Sequence, residues 1–239
     1  MGLRFSVFLK SQVPEFSIGP GAFALLKEMH PSVAIRFLDT YDEFIGSLSE
    51  CDIGITWRMA GSDYPPAGHL KAIVTPAAGK DWVHSDPSGR IPTFHGSFHG
   101  KIMSESLLAM ILHFNNGLHV QLQNQRNSKW ERGLPFRRRR LEGQSVLILG
   151  YGNLGRECSA LLERLGLRVR GTKRSLAGEE GNNNLVQFDD ALENLGEFDH
   201  VVSLLPGDES TRGLIGREHF QAMKRSAVFY SLGRGLAIR

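Results

Sequence analysis

Three glycines at positions 150, 152 and 155 form the pattern with the clearest chemical meaning in this sequence. They follow a short apolar run at residues 146–149 and precede an apolar, helix-like segment that continues to Leu165. A strand, a glycine-rich turn and a helix in this order are typical of sites that bind a dinucleotide. Gly150 allows the tight turn, Gly152 lets the backbone approach a pyrophosphate, and Gly155 lets the helix pack closely on the strand. The N-terminus of the helix then favours the phosphate charge.

The residues after the next strand indicate which dinucleotide would bind. NAD-selective sites usually place an acid there to hold the ribose 2′-OH. This chain has Lys173, Arg174 and Ser175 instead, and two cations with a hydroxyl suit the 2′-phosphate of NADP. We therefore favour NADP over NAD, with a solvated basic turn as the alternative. The predicted cofactor-binding turn also includes the residues between its glycines: Tyr151, Asn153 and Leu154.

The elements that must position these residues alternate between strands and helices. In the first hundred residues, the predicted strands are 3–9, 33–38, 52–57, 71–75 and 91–94, and the predicted helices are 21–29, 41–48 and, more weakly, 64–70. Such alternation implies parallel βαβ units. Five short strands suit a small flavodoxin-like sheet.

A long helix at residues 103–127 and a polar, basic loop at 127–142 separate this part from a second α/β unit that starts at Gln144. The predicted strands of the second unit are 146–149, 167–171, 185–188, 200–205 and 227–232, with helices at 154–165, 189–195 and 217–223. Residues 178–184 are expected to form a polar loop. We predict two domains, 1–100 and 101–239.

Composition excludes several classes of protein. The chain has 239 residues, 41% of them hydrophobic, and a formal net charge of only +3. Cys51 and Cys158 lie far apart in apolar surroundings, which favours a reducing compartment over a disulfide framework. No apolar run is long enough for a membrane span, so we expect a cytoplasmic protein with no membrane partner. The arginine run at 137–140 lacks interleaved aromatic residues and indicates a solvated loop, with no nucleic acid as partner. No metal site is predicted.

Three further segments carry a resemblance to a known family. Residues 202–215 include SLLP and ESTRGLI, residues 223–235 include MK and SLGRG, and residues 76–82 read PAAGKDW. Together with the glycine turn, they resemble the D-isomer-specific 2-hydroxyacid dehydrogenases over nearly the whole chain. The resemblance implies an α/β fold with a Rossmann-type NAD(P)-binding domain and a smaller, flavodoxin-like substrate domain, both with parallel sheets.

The resemblance also implies roles for particular residues. Arg234 matches the family's catalytic arginine, which binds a 2-oxo acid through its carboxylate and carbonyl oxygens. Arginine suits this role because its planar fork matches a carboxylate and keeps its charge. The backbone N–H groups of Ala78 and Gly79 would hold the same carboxylate. The alternatives are that Arg234 is an ordinary surface arginine and that Ala78 and Gly79 form an ordinary turn.

The resemblance extends the cofactor site to residues that follow the later strands. By their place in the family's segments, these residues are Leu205, Pro206, Thr211 and Gly233. The first two would line the adenosine side mainly by shape, with core packing as the alternative. Ser231 stands where the family usually has asparagine.

The expected activity is hydride transfer between NADPH or NADH and a small 2-oxo acid of the glyoxylate or hydroxypyruvate type. The family's acid–base histidine and its glutamate lie beyond the arginine, whereas this chain ends at Arg239. We therefore expect this chain alone to be inactive, and a complete protein to be a homodimer. The alternatives are a non-catalytic nucleotide-binding protein, such as a redox sensor or corepressor, and an inactive truncated relative.

Overall fold

The structure is a computed structural model that describes residues 2–133, 138–179, 181–182 and 184–239. The chain divides into two compact units between Ser97 and Phe98. Ten strands among the described residues form two five-stranded sheets, and all strand pairs are parallel. This arrangement confirms the predicted α/β class. Arg137 of the arginine run, and Glu180 and Asn183 of the loop at 178–184, lie outside the described residues.

The first unit contains one of the sheets. Its strands are β1 Arg4–Phe8, β2 Ala34–Phe37, β3 Ile53–Thr56, β4 Ala72–Thr75 and β5 Thr93–His95, in the order β2-β1-β3-β4-β5. Its α-helices are α1 Ala24–Met29 and α2 Tyr41–Ser47. Helix α2 begins with a capping box, in which Thr40 accepts from the Glu43 amide and Glu43 accepts from the Thr40 amide. Apolar clusters that include Phe44 and Ile73, and Val7 and Ile55, form the core of this unit.

The weak helix predicted at residues 64–70 is wrong. A short 3-10 turn at Gly61–Asp63 ends before it, and residues 64–70 form bends. Pro65 and Pro66 lack amide N–H groups and disfavour the helical conformation in the residue before them. Gly68 also has a φ of 139°, which is incompatible with a right-handed helix.

The second unit contains the other sheet. Its strands are β6 Ser145–Leu149, β7 Arg168–Lys173, β8 Leu185–Gln187, β9 His200–Ser203 and β10 Val228–Ser231, in the order β10-β9-β6-β7-β8. Its α-helices are α3 His99–Asn116, α4 Leu118–Arg126, α5 Asn153–Arg164, α6 Phe188–Glu193 and α7 Arg217–Ala222. The order of strands reverses direction at β6. In open parallel sheets, ligands bind outside the carboxyl ends of the strands at such a switch point.

The single long helix predicted at residues 103–127 is also wrong. Helix α3 begins four residues earlier and ends at Gly117, after which α4 starts. Gly117 is left-handed, with φ 60° and ψ 40°, and its amide donates to the carbonyls of His113 and Phe114. Glycine adopts this conformation readily and commonly ends helices in this way. Across the described part of the chain, no helix combines the length and apolarity needed to cross a membrane.

A buried polar network joins the amino ends of the central strands of the second sheet. Nε2 of His200 lies 2.6 Å from Oε1 of Gln144, which also accepts from Asn115 at 3.0 Å. Since this amide oxygen can only accept, His200 carries its proton on Nε2 and accepts from the Tyr230 hydroxyl through Nδ1, at 3.0 Å. His200 is fully buried, and this burial is the main reason why its pKa falls to about 4.

Candidate functional site

The glycine turn leaves the sheet at the carboxyl end of β6, beside the switch point. Gly150 has a φ of 99°, and a Cβ there would lie 3.0 Å from the carbonyl oxygen of Leu204. Gly155 faces the turn from the first turn of α5, where a Cβ would lie 2.8 Å from the carbonyl oxygen of Gly150. These two glycines are therefore required by the backbone itself, because a side chain at either position would force the turn open.

Gly152 differs, because a Cβ there would meet nothing within 4 Å. Its backbone, with φ −83° and ψ −154°, is also open to other residues. It is the N-cap of α5, where no described side chain caps the helix. The backbone at Gly152 therefore does not require glycine. The missing side chain instead leaves space at the N-terminus of a twelve-residue helix, where an anion such as a pyrophosphate could approach closely.

Tyr151 points into the protein and packs on the neighbouring strand. A Cβ on Gly171 would lie 2.0 Å from the Tyr151 ring, so the ring occupies the space that this glycine leaves. The Tyr151 amide donates to the carbonyl of Thr172 at 2.7 Å. The ring packing and the backbone hydrogen bond of Tyr151 thus hold the turn against β7.

The cations predicted to select NADP lie at the carboxyl end of β7, and both contact other groups. Nζ of Lys173 lies 2.5 Å from Oε1 of Glu179. Arg174 donates to the hydroxyl of Ser210 and lies 3.8 Å from the carboxylate of Asp208. The Ser175 hydroxyl accepts from the amide of residue 177 at 3.3 Å. The sequence placed these residues at the correct strand end, but it gave no indication of their acidic partners.

The loop after β9 is held by its own hydrogen bonds. The Thr211 hydroxyl lies 2.7 Å from the carbonyl of Pro206 and 2.8 Å from that of Asp208, and it is buried between them. Leu205 is buried in the core cluster that contains Leu147 and Leu149. Their side chains therefore shape the loop, and Pro206 lies exposed at its start.

Gly233 and Arg234 follow β10 and pack against this loop. A Cβ on Gly233 would lie 2.4 Å from the carbonyl oxygen of Leu205, so only glycine allows the two chain segments to approach so closely. Arg234 is exposed, and its aliphatic stem lies on Gly207, where a Cβ would be 2.7 Å from Cγ of Arg234. The guanidinium is thus carried at the same sheet edge as the glycine turn.

Ala78 and Gly79 lie in the first unit, in bends that follow β4. The preceding residue, Ala77, is buried; its amide lies 3.2 Å from the hydroxyl of Thr75, and its carbonyl accepts from Gly96 at 3.1 Å. The turn is therefore anchored at its start. Partly exposed small residues at the carboxyl end of a parallel strand suit a position from which backbone amides contact an anion.

Arg156 and Glu179 are two charged residues of this sheet edge that sequence reasoning missed. Arg156 lies in the second turn of α5, and its guanidinium is 2.6 Å from the same Glu179 oxygen that Lys173 contacts. The available signal was an arginine directly after Gly155. Glu179 offered no such signal, because its position depends on how the loop after β7 folds back.

Comparisons with known proteins agree with this geometry. A family model described as D-isomer specific 2-hydroxyacid dehydrogenase, NAD binding domain, matches residues 108–239, more than half of the chain. The 4-methyl-2-oxopentanoate reductase A of Aspergillus oryzae is 34% identical over 123 residues, which are 50% of this chain and 36% of that protein. The glyoxylate/hydroxypyruvate reductase A of Photorhabdus laumondii is 29% identical over 140 residues, which are 57% of this chain and 42% of that protein.

The chain thus spans roughly two fifths of the length of these curated relatives. A solved structure of a D-isomer specific 2-hydroxyacid dehydrogenase from Xanthobacter autotrophicus Py2, in complex with NADPH and MES, matches with a TM-score of 0.79 at 24% identity. This match covers 100% of the chain and 74% of that structure, and it shows a shared fold. The chain belongs to the D-isomer-specific 2-hydroxyacid dehydrogenase family, and its residues 108–239 correspond to the NAD-binding domain of that family.

Proposed function

We propose that this chain binds NADP(H) in preference to NAD(H), and that it serves the reduction of a small 2-oxo acid of the glyoxylate or hydroxypyruvate type. The observation that carries the proposal is Gly152, whose open space over the start of α5 fits a pyrophosphate. The cations at the end of β7 support a 2′-phosphate on the same ligand. Family membership supports the reaction class.

The chain's own residues would bind and orient the reactants. Gly150, Gly152 and Gly155 shape the turn that receives the pyrophosphate, and Lys173 and Arg174 receive the 2′-phosphate. When bound, NADPH supplies a hydride to the carbonyl carbon of the 2-oxo acid. The carbonyl oxygen would take a proton from a general acid or from solvent, which gives a 2-hydroxy acid.

Arg234 would bind the substrate carboxylate with its planar fork and stabilise the negative charge that develops on the carbonyl oxygen. We also propose the backbone amides of Ala78 and Gly79 as hydrogen-bond donors to a substrate carboxylate. An arginine is better suited than a lysine to these contacts, because it offers several N–H donors in one plane.

Arg234→Lys is expected to weaken binding of oxamate, an unreactive 2-oxo acid analogue, to the NADPH complex by about tenfold or more. Where the protein reduces glyoxylate, kcat/KM should fall by about a hundredfold. Quenching of NADPH fluorescence measures the first effect, and consumption of NADPH measures the second. The affinity for NADPH itself should not change.

Arg164→Lys is the matched control, because Arg164 is exposed at the end of α5 and lies far along the helix from the turn. Equal oxamate affinity in wild type and Arg234→Lys would contradict the role of Arg234. Tight NADPH binding without oxamate binding or reduction of any 2-oxo acid would favour a non-catalytic nucleotide-binding protein.

We also propose that the protein is a homodimer that assembles through the second unit. Large apolar side chains are exposed along its first two helices: Ile102, Phe114, Leu118 and Leu122. Exposed apolar patches of this kind often mark protein–protein interfaces. Leu122→Glu is expected to convert a dimer to a monomer in analytical ultracentrifugation. A wild-type protein that stays monomeric at all concentrations would contradict the proposal.

A cytoplasmic location is proposed as well, and the two buried, free thiols of Cys51 and Cys158 support it. We also propose that the protein binds no nucleic acid. Within the arginine run, Arg139 lies 3.7 Å from Asp199 and Arg140 lies 2.9 Å from Glu142, so both guanidinium groups contact carboxylates of the protein itself.

A further inference from the structure

One carboxylate oxygen holds two cations at the end of β7. Oε1 of Glu179 lies 2.5 Å from Nζ of Lys173 and 2.6 Å from Nη2 of Arg156. The two cations come from different elements, since Arg156 belongs to α5 and Lys173 ends β7. The side chain of Glu179 is only 13% exposed, so its carboxylate is largely shielded from solvent.

The two cations of this cluster surround Glu179 in the way that cations surround a bound phosphate. The hydrogen bond from Lys173 is the main reason why the pKa of the Glu179 carboxyl lies below its usual value, so the group is ionised at neutral pH. Lysine and arginine that converge on a single anionic oxygen are typical of phosphate recognition. The single negative charge of Glu179 does not balance the positive charges of Lys173 and Arg156. A more highly charged anion would neutralise the two cations better.

The position of the cluster ties it to cofactor choice. Lys173 lies where a dinucleotide site distinguishes the ribose 2′-OH from a 2′-phosphate. Arg156 reaches the same point from α5, the helix whose N-cap is Gly152. Arg174, held by Asp208 and Ser210, adds a third cation at the same strand end.

We propose that Glu179 is an internal anion that occupies the place of the 2′-phosphate and leaves Lys173 and Arg156 when NADP(H) binds. The inference rests on the proposed cofactor site. NAD(H) has no group that competes for the two cations, so it binds with the Glu179 contacts intact. Glu179 thereby determines the ratio of the two cofactor affinities.

The test compares the dissociation constants of NADPH and NADH, measured by fluorescence titration, in wild type and Glu179→Gln. The amide keeps the size of the side chain and removes its charge. We expect NADPH affinity to rise by about tenfold and NADH affinity to change by less than about twofold. An unchanged ratio of the two affinities, or a fall in NADPH affinity alone, would overturn the inference.

Glu131→Gln is the matched control. Glu131 also pairs with a lysine, Lys129, at 3.0 Å, and with Asn124 at 3.2 Å, in a surface segment away from the glycine turn. It removes the same charge from the protein, so it reports any effect of net charge on the binding of an anionic cofactor. The ratio of affinities should not change in this variant.

Lys173→Ala separates failure of the inference from failure of the proposed function. It should weaken NADPH binding and leave NADH binding nearly unaltered. If it does so while Glu179→Gln leaves the ratio unchanged, only the role of Glu179 is overturned. If wild type binds neither cofactor, or if Lys173→Ala affects both equally, the proposed NADP site fails and the inference fails with it.

Discussion

Replacing Gly152 by alanine is expected to lower the affinity for NADPH by at least about a hundredfold and to leave the protein as stable as before. The backbone at Gly152 is extended and open to alanine, and a Cβ there meets no atom within 4 Å. The free energy of unfolding should change by less than about 1 kcal/mol. The methyl group would instead stand where the proposed pyrophosphate approaches the start of α5.

Fluorescence titration with NADPH and urea unfolding of the same samples measure the two quantities. Gly46→Ala is the matched control, because a Cβ at Gly46 also meets nothing within 4 Å and the residue lies in α2 of the other unit. Its NADPH affinity should equal that of wild type. If Gly152→Ala also binds NADPH like wild type, the pyrophosphate does not lie at this turn.

Acidification is expected to destabilise the protein by about 3 kcal/mol between about pH 6.5 and pH 4, through His200. His200 has a pKa of about 4 in the folded protein, below its ordinary value of 6.5, mainly because of burial. A depressed histidine pKa means that the folded state favours the neutral ring. Its contribution is complete above pH 6.5 and is lost as the pH falls toward 4.

The neighbouring charges modify this effect in opposite directions. Arg139 and Lys224 lower the pKa of His200, whereas Asp199 raises it. A protonated ring would also lose the Nδ1 acceptor that the Tyr230 hydroxyl uses. Buried carboxyl groups act at lower pH, since the pKa values of Asp52 and Asp86 are about 2. Carboxyl groups with lowered pKa values start to lose their contribution only near their ordinary values of 4.5 or below, so the pH range above about 5 reports mainly on His200.

Urea unfolding at several pH values measures the effect. In His200→Gln the free energy of unfolding should be lower at neutral pH and nearly constant across the same range. His30→Gln, at an exposed position, should keep the wild-type dependence on pH. A wild-type stability that stays constant from neutral pH to about pH 4.5 would show that burial of neutral His200 contributes nothing.

The sequence predicted the elements well where apolar patterns and glycines act locally. Val, Ile and Leu runs gave the strands of both sheets, and the glycines at 150 and 155 correctly marked a tight turn and a close helix contact. The errors had local causes too. Apolar residues at helical spacing continue past Gly117 and conceal the helix end in the sequence, and Pro65 and Pro66 prevent a helix that the neighbouring residues would otherwise favour.

The sequence predicted only those site residues whose position follows from the end of a strand. Lys173, Arg174 and Arg234 all lie at the carboxyl edge of their sheet, as expected for residues that follow parallel strands. The contacts of Glu179 and Asp208 with those cations depend on loop conformation, which no periodic pattern records. The packing of Tyr151 on Gly171 is likewise a contact between separate elements.

The most direct test of the central claim is the binding of NADPH to the wild-type protein, measured by isothermal titration calorimetry. The glycine turn, the open start of α5 and the cations at the end of β7 predict saturable binding of one NADPH per chain, tighter than the binding of NADH. A folded protein that binds neither dinucleotide at millimolar concentration would contradict the claim.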